Sequence, residues 1–356
     1  MKPHWVVLAA WGVFLPWTLA AMGADVFNVS GRLTSLEFVT VGNPRNAADT
    51  RYETPGYGAV DYVYRMTRFE ITAGQYTDLL NAVGKIDTYG LYSTNMWSSD
   101  KPCNIERTGG GTPTDPYVYA VVADWASRPV TWVSWGDAAR FCNWLTNAQP
   151  TGDQDLTTTE AGSYFLNGAT SDSGLMAVTR IQEQDRVAGK TYYFIPSEGE
   201  WYKAAYHKND GDTGNYFSYP TSSDSVPSND LVDPDPGSNA TFYDNGYTIG
   251  SPYYRTEVGA HEKSESPYDT FDQGGNVWEW NEATEFDPHR FGPFRGIRGG
   301  SFSNMAYGLR ADERYNHVNE PTDEFADVGF RISEVPEPAT LALLAVGGLA
   351  LIRRRR

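Results

Sequence analysis

Only two cysteines occur in the 356 residues, Cys103 and Cys142. Two thiolates cannot complete a four-ligand structural zinc site, and only one disulfide can be drawn between them. Histidine is also scarce. Apart from His4, the chain has His207, His261, His289 and His317, scattered singly. No His-x3-His or two-histidine-one-carboxylate spacing is present, so each is expected to be a surface or loop residue. Positive charge is short as well: 28 Lys and Arg stand against 45 Asp and Glu, a net charge of −17. Such a surface repels phosphate backbones and excludes nucleic acid as a partner. No tandem repeat, Gly-rich phosphate loop, Gly-x-Ser-x-Gly elbow or zinc motif is found.

Aromatic residues, at 14%, are plentiful, with 35 Gly and 21 Pro. That composition suits ordered, irregular loops rather than a helical bundle or a coiled coil. Three helices are marked by the same local device, a hydroxyl residue followed three positions later by a side chain that reaches back. Thr72 with Gln75 precedes an apolar stripe of Tyr76, Leu79, Leu80 and Val83, with Gly84 as the stop. Ser134 with Asp137 precedes Ala138, Phe141, Cys142 and Leu145. Ser197 with Glu200 precedes Trp201, Ala204, Ala205 and Lys208. Cys142 therefore falls on a packed helix face, which favours a buried thiol over a Cys103–Cys142 bridge. Residues 62–66 and 192–195 have β composition. Residues 146–175 and 207–240 are rich in Ser, Thr, Asp, Asn, Gly and Pro. Loops that long need something extra to hold them, such as a bound metal. No linker divides the body, so one α+β domain over residues 25–334 is expected.

The two ends read differently. Residues 1–24 open with Lys2, continue through the mostly apolar Val6–Ala21 and reach small residues at Ala21-Met22-Gly23, the pattern of a secretory signal. A buried strand or a retained anchor is the alternative. At the other end, Pro336-Glu337-Pro338 is followed by an apolar run, Ala339–Ile352, and then by Arg353–Arg356. Fourteen residues rise only about 21 Å as a helix, short of a hydrocarbon core of about 30 Å. The arginines stay on the cytoplasmic side. Residues 335–356 closely resemble the PEP-CTERM sorting signal of Gram-negative bacteria. That resemblance implies an exosortase partner, a transient stay at the inner membrane, and delivery of the body to the outer surface or matrix. Without residues 1–23 and 336–356 the body carries 23 basic and 44 acidic side chains, which suits bound divalent cations.

Five segments in order carry a second resemblance. They are Arg128-Pro129-Val130-Thr131-Trp132-Val133-Ser134-Trp135, Ile195-Pro196-Ser197-Glu198-Gly199-Glu200-Trp201, Gly275-Asn276-Val277-Trp278-Glu279-Trp280, Arg298-Gly299-Gly300-Ser301-Phe302 and Gly329-Phe330-Arg331. Together they resemble the formylglycine-generating enzyme, or sulfatase-modifying factor, family from about Glu37 to Ile332. The resemblance implies a C-type-lectin-like fold with little regular secondary structure and bound calcium. Asp272, Gly275, Val277 and Glu279 match the family's calcium loop, through two side chains and two carbonyls. A hard cation takes such oxygens. A second calcium set would fall at Asn239, Ala240, Asn245 and Tyr247, in a loop of different length.

The family's enzymes hold copper between two thiolates, the soft ligands that Cu(I) prefers. The matching positions here are Asn304 and Leu309. The departure removes that catalytic centre, so no catalytic residue is assigned and copper is not expected. Arg298, Arg310 and Arg331, beside Ser301 and Asn304, admit two readings. They pair with carboxylates such as Asp312 and hold the C-terminal strands, or they line a polar pocket for a carboxylate, sugar or peptide. Three functions compete. The first is a calcium-stabilised ligand-binding or structural module for an extracellular polysaccharide or surface protein. The second is an oxidoreductase with a different metal site. The third is the family's own cysteine oxidation. A pocket filled by Leu309 and aromatics favours the first, and a cluster of His and carboxylates the second.

Overall fold

The computed structural model describes residues 36–286, 293–314 and 320–335. The segment read as a signal, the sorting residues Pro336, Glu337 and Pro338, and the apolar run after them lie outside the described residues.

The first sheet begins with β1, Phe38–Val41, antiparallel to β2, Tyr64–Thr67, with Phe38 opposite Thr67. Helix α1, Ala73–Val83, follows, then a short α2, Asn95–Ser98. Strands β3, Ile105–Thr108, and β4, Val118–Val121, form a separate hairpin. Helix α3, Trp135–Thr146, and a one-turn α4, Asp172–Met176, precede β5, Tyr193–Phe194. Helix α5, Glu198–Tyr206, leads through a long loop to β6, Trp278–Phe286, and β7, Pro293–Arg298. The chain ends in β8, Val328–Gly329, and β9, Ser333–Glu334.

One sheet has the order β1-β2-β9-β5 and another β7-β6-β8, with β8 parallel to β6. The stretch 328–334 therefore serves both sheets. Glycine is required in it: a Cβ on Gly329 would lie 2.6 Å from the Val130 carbonyl oxygen. The next side chain, Phe330, packs edge-on to Phe141 at 5.5 Å between ring centres. The main core lies between α1, α3 and these sheets, with Tyr76, Trp135, Phe141, Trp280 and Phe330 all at most 1% exposed.

All three expected capping boxes are present, with Thr72, Ser134 and Ser197 each accepting from the N3 amide. Helix α3 departs from the expected single stripe, because every residue from Trp135 to Thr146 is buried. The polar loop that follows wraps it. Asn143 Nδ2 donates to the carbonyls of Thr159 and Tyr164, and Asn147 Nδ2 to those of Thr158 and Ala161. Arg140 pairs with Glu160 at 2.7 Å. Side-chain amides thus hold this loop. In the second long loop, buried Asp235 accepts from the amides of Gly237 and Lys263, from Asn239 Nδ2 and from Ser264 Oγ.

Both cysteines are free and buried. The two described histidines are not on the surface. His207 is 0% and His261 3% exposed. Each is satisfied by neighbours, His207 by the Tyr268 hydroxyl and the Thr213 carbonyl and His261 by the Thr241 hydroxyl.

Candidate functional site

The chain after β7 turns sharply through Gly299-Gly300 and builds a small polar network. The Asn304 side-chain oxygen accepts from the Ser301 amide at 3.0 Å and from Ser301 Oγ at 2.7 Å. The Ser301 and Ser303 hydroxyls reach Asp327 Oδ2 at 2.8 and 3.0 Å. Leu309, five residues on, is fully buried against Tyr219, Ala240 and Phe242.

An aromatic wall stands beside this network, tied to it by the Tyr243 amide donating to the Asn304 carbonyl at 2.8 Å. Tyr243 meets Tyr247 at 5.2 Å, Tyr247 meets Tyr254 at 5.1 Å, and Tyr254 meets Phe302 at 5.7 Å between ring centres. Tyr247 is 40% exposed. Tyr254 sits at φ 59°, a left-handed conformation that is costly for an aromatic residue. The Lys101 ammonium lies 5.4 Å from the Tyr254 ring and 5.5 Å from Phe302. Behind the wall is Arg255, 0% exposed, with Nη1 on the Ala326 carbonyl at 2.6 Å and Nη2 on that of Pro102. Its Nε has no hydrogen-bond partner, and burial lowers its pKa to about 10. Ring faces, an ammonium, hydroxyls and an amide can stack on and hydrogen-bond a sugar or peptide.

The three arginines of the expected pocket do not join this network. Arg298 pairs with Glu198 at 2.7 Å and donates to the carbonyls of Ala311 and Glu313. Arg310 pairs with Asp312 at 2.7 Å near the surface. Arg331 takes both oxygens of Glu279, at 2.5 and 2.7 Å, and also the Phe271 carbonyl. Trp201 Nε1 adds a third bond to Glu279 at 2.7 Å. Several motif residues are thus joints of the scaffold. Trp280 Nε1 likewise bonds the Val133 carbonyl, and the Arg295 guanidinium lies 3.7 Å from the Trp135 ring centre.

Of the four residues expected as calcium ligands, Glu279 is a member of the ion pair with Arg331, and Asp272 feels the charge of both its partners. Gly275 has φ 86°, and a Cβ there would fall 2.2 Å from the Thr241 carbonyl oxygen. Asp272 Oδ2 accepts from the Gly259 amide at 2.6 Å. A third acid, Glu70, is 1% exposed and accepts from Asn276 Nδ2 at 2.8 Å and the Val277 amide at 3.2 Å. Of the three carboxylates only Glu279 is bonded to the Arg331 guanidinium; Asp272 and Glu70 feel its charge without touching it. Burial, then the charges of Asp272 and Glu279, push Glu70 well above the usual carboxylate range, against the pull of Arg331. Burial raises Asp272 to about 6. A hard divalent cation takes oxygen donors, but both oxygens of Glu279 are bonded to Arg331 and Asp272 Oδ2 to the Gly259 amide.

The second set is less drawn together. Asn239 and Ala240 are buried, and Asn239 turns its amide to Asp235. Asn245 is exposed at the tip of the turn between Tyr243 and Tyr247, and Tyr247 belongs to the aromatic wall. Sequence reasoning passed over Glu70, Lys101, Arg255 and Asp327. Asp327 carries a signal in retrospect, since it directly precedes the Val328-Gly329-Phe330-Arg331 run. The other three sit in unpatterned loops. Among the described residues no three His, Cys, Asp or Glu side chains gather as a group that could hold a metal ion. No described helix is long and apolar enough to cross a membrane.

Comparison with known proteins gives the family. A family described as the sulfatase-modifying factor enzyme 1-like domain matches residues 37–334, and the PEP-CTERM protein-sorting motif matches residues 334–356. Among curated proteins none matches. Similar solved structures include CarF, 19% identical with 85% of this chain and 99% of that one covered and a TM-score of 0.48. Treponema denticola variable protein 1 is 18% identical, with 85% and 96% covered and a TM-score of 0.48. PvdO from Pseudomonas aeruginosa is 16% identical, with 85% and 92% covered and a TM-score of 0.43. The chain belongs to the sulfatase-modifying factor enzyme 1-like family, has that family's loop-rich α+β, C-type-lectin-like fold, and carries the sorting motif of an exosortase-exported protein of Gram-negative bacteria.

Proposed function

We propose that this chain is an exported, non-catalytic ligand-binding module, stabilised by calcium at the Asp272–Glu279 loop. One observation carries the reading. Leu309 is fully buried among Tyr219, Ala240 and Phe242, at a position where the family resemblance implies a copper thiolate. Its partner position, Asn304, spends its side-chain oxygen on Ser301. An amide and a packed aliphatic group offer no redox ligand. The Tyr243, Tyr247, Tyr254 and Phe302 wall with Lys101 then supplies the binding face, for an extracellular polysaccharide or a surface protein. The domain boundaries follow: a signal over residues 1–24, the body over 25–334 and the sorting tail over 335–356. After sorting, the body stands on the outer surface or in the matrix.

Asp272 and the carbonyls of Gly275 and Val277 would hold the calcium, beside Glu279. The purified protein, equilibrated with trace copper, iron and calcium and then dialysed, is expected to keep calcium alone. It should consume no oxygen with thiol substrates. Glycan and peptide arrays should show binding that Tyr247→Ala and Tyr254→Ala weaken about tenfold each, the scale of one stacking contact. Stoichiometric copper with oxygen uptake would overturn the reading in favour of an oxidase.

A further inference from the structure

The sorting motif starts inside the fold. It matches from Glu334, and Glu334 is a residue of β9, a central strand with β2 on one side and β5 on the other. Glu334 also pairs with Arg65 at 2.9 Å. Ser333 Oγ donates to buried Glu200 at 3.1 Å, and Val335 still packs on the core.

Three residues, Pro336, Glu337 and Pro338, then separate the packed body from the apolar run. Fully extended, they reach roughly 10 Å. A single helix with its side chains is already about 10–12 Å across. No layer of a second protein fits between the body and the hydrocarbon while β9 is docked and the apolar run is in the bilayer.

We propose that β9 gates removal of the sorting tail: the processing enzyme acts on chains whose last strand is out of the sheet. Release of Ser333–Val335 adds three residues, about 10 Å of reach. The fraying stops at Ile332 and Arg331, both 0% exposed, with Arg331 bonded to Glu279. The opening is local, so its population, not the stability of the whole body, sets the rate of access. The gate controls access alone, and the bond broken and its acceptor belong to the enzyme. It operates whether or not the body is catalytic.

The test uses the full chain in a bacterium with its sorting machinery, with tail loss followed by pulse-chase. Ten Gly and Ser residues inserted between Val335 and Pro336 should raise the rate at least fivefold. Glu334→Ala, which removes the Arg65 pair, should raise it about two- to threefold at native spacing and leave the linker form unchanged. A denaturation midpoint of the linker form equal to that of the parent shows that the body is intact. A linker that leaves the rate within twofold of the parent overturns the gate. So does Glu334→Ala accelerating both forms equally.

Discussion

Glu324 lies where negative charge collects. Burial comes first, then the charges of Asp137 and Asp87, and together they push its pKa up to about 7; a hydrogen bond from Ser93 opposes them. Asp137 is raised to about 6 by burial, against Ser134 and Arg140. The other charge facing this corner is Arg107, 3.5 Å from Asp87. A carboxyl whose folded pKa lies above its unfolded value contributes stability below about pH 4.5, and that contribution is lost as pH rises through 7. Glu324→Gln should therefore flatten the decline between pH 5 and 8, worth on the order of 2 kcal/mol. Urea denaturation at both pH values measures it, and an unchanged slope would refute the assignment. None of this was legible in the sequence, because Glu324 and Asp137 meet only through the fold. The capping residues Thr72, Ser134 and Ser197 were legible, since their partners lie three positions away. Glu279 with Arg331 was half legible. Both stood in motifs, but nothing local says that they bond across 52 positions.

At the scale of elements, α3 and the loop around it form a unit held by Asn143. Its side chain makes three bonds: to the Thr159 carbonyl, to the Tyr164 carbonyl and from the Tyr164 amide. Asn143→Ala leaves buried backbone groups without partners, at about 1–3 kcal/mol each. The variant should lose roughly 3 kcal/mol, and limited proteolysis should cut first between residues 153 and 169. Cutting elsewhere first would show that Arg140 with Glu160 suffices. This element also shows where periodicity misleads. The apolar stripe of α3 is real, but its opposite face is covered by loop carbonyls, and a polar loop sequence does not announce that it will fold back over a helix. Strands of two residues, such as β5, β8 and β9, are too short for any alternation to show. Their place is fixed by partners far along the chain.

For the whole molecule, the family reading was accessible because its motifs fall at joints between elements, where packing and pairing partners constrain residue type. Calcium should act on the body as a unit. Chelator is expected to lower the melting temperature by about 5–10 °C, with calcium restoring it and Asp272→Asn abolishing the dependence. A melting curve unmoved by chelator would remove the ion from the account. Four of the largest fully buried side chains are arginines, Arg140, Arg255, Arg298 and Arg331, each at most 1% exposed. Three of them are matched inside by Glu160, Glu198 and Glu279, so the excess of 45 acidic over 28 basic residues is left to the rest of the chain, and a neighbouring copy meets a face richer in carboxylates. Two such bodies repel at low ionic strength. That repulsion fades within about 10 Å at 0.1 M salt. A divalent ion shared between two carboxylate faces reverses its sign, so crowded copies would behave as a colloid whose cohesion is set by the hardness of the surrounding water.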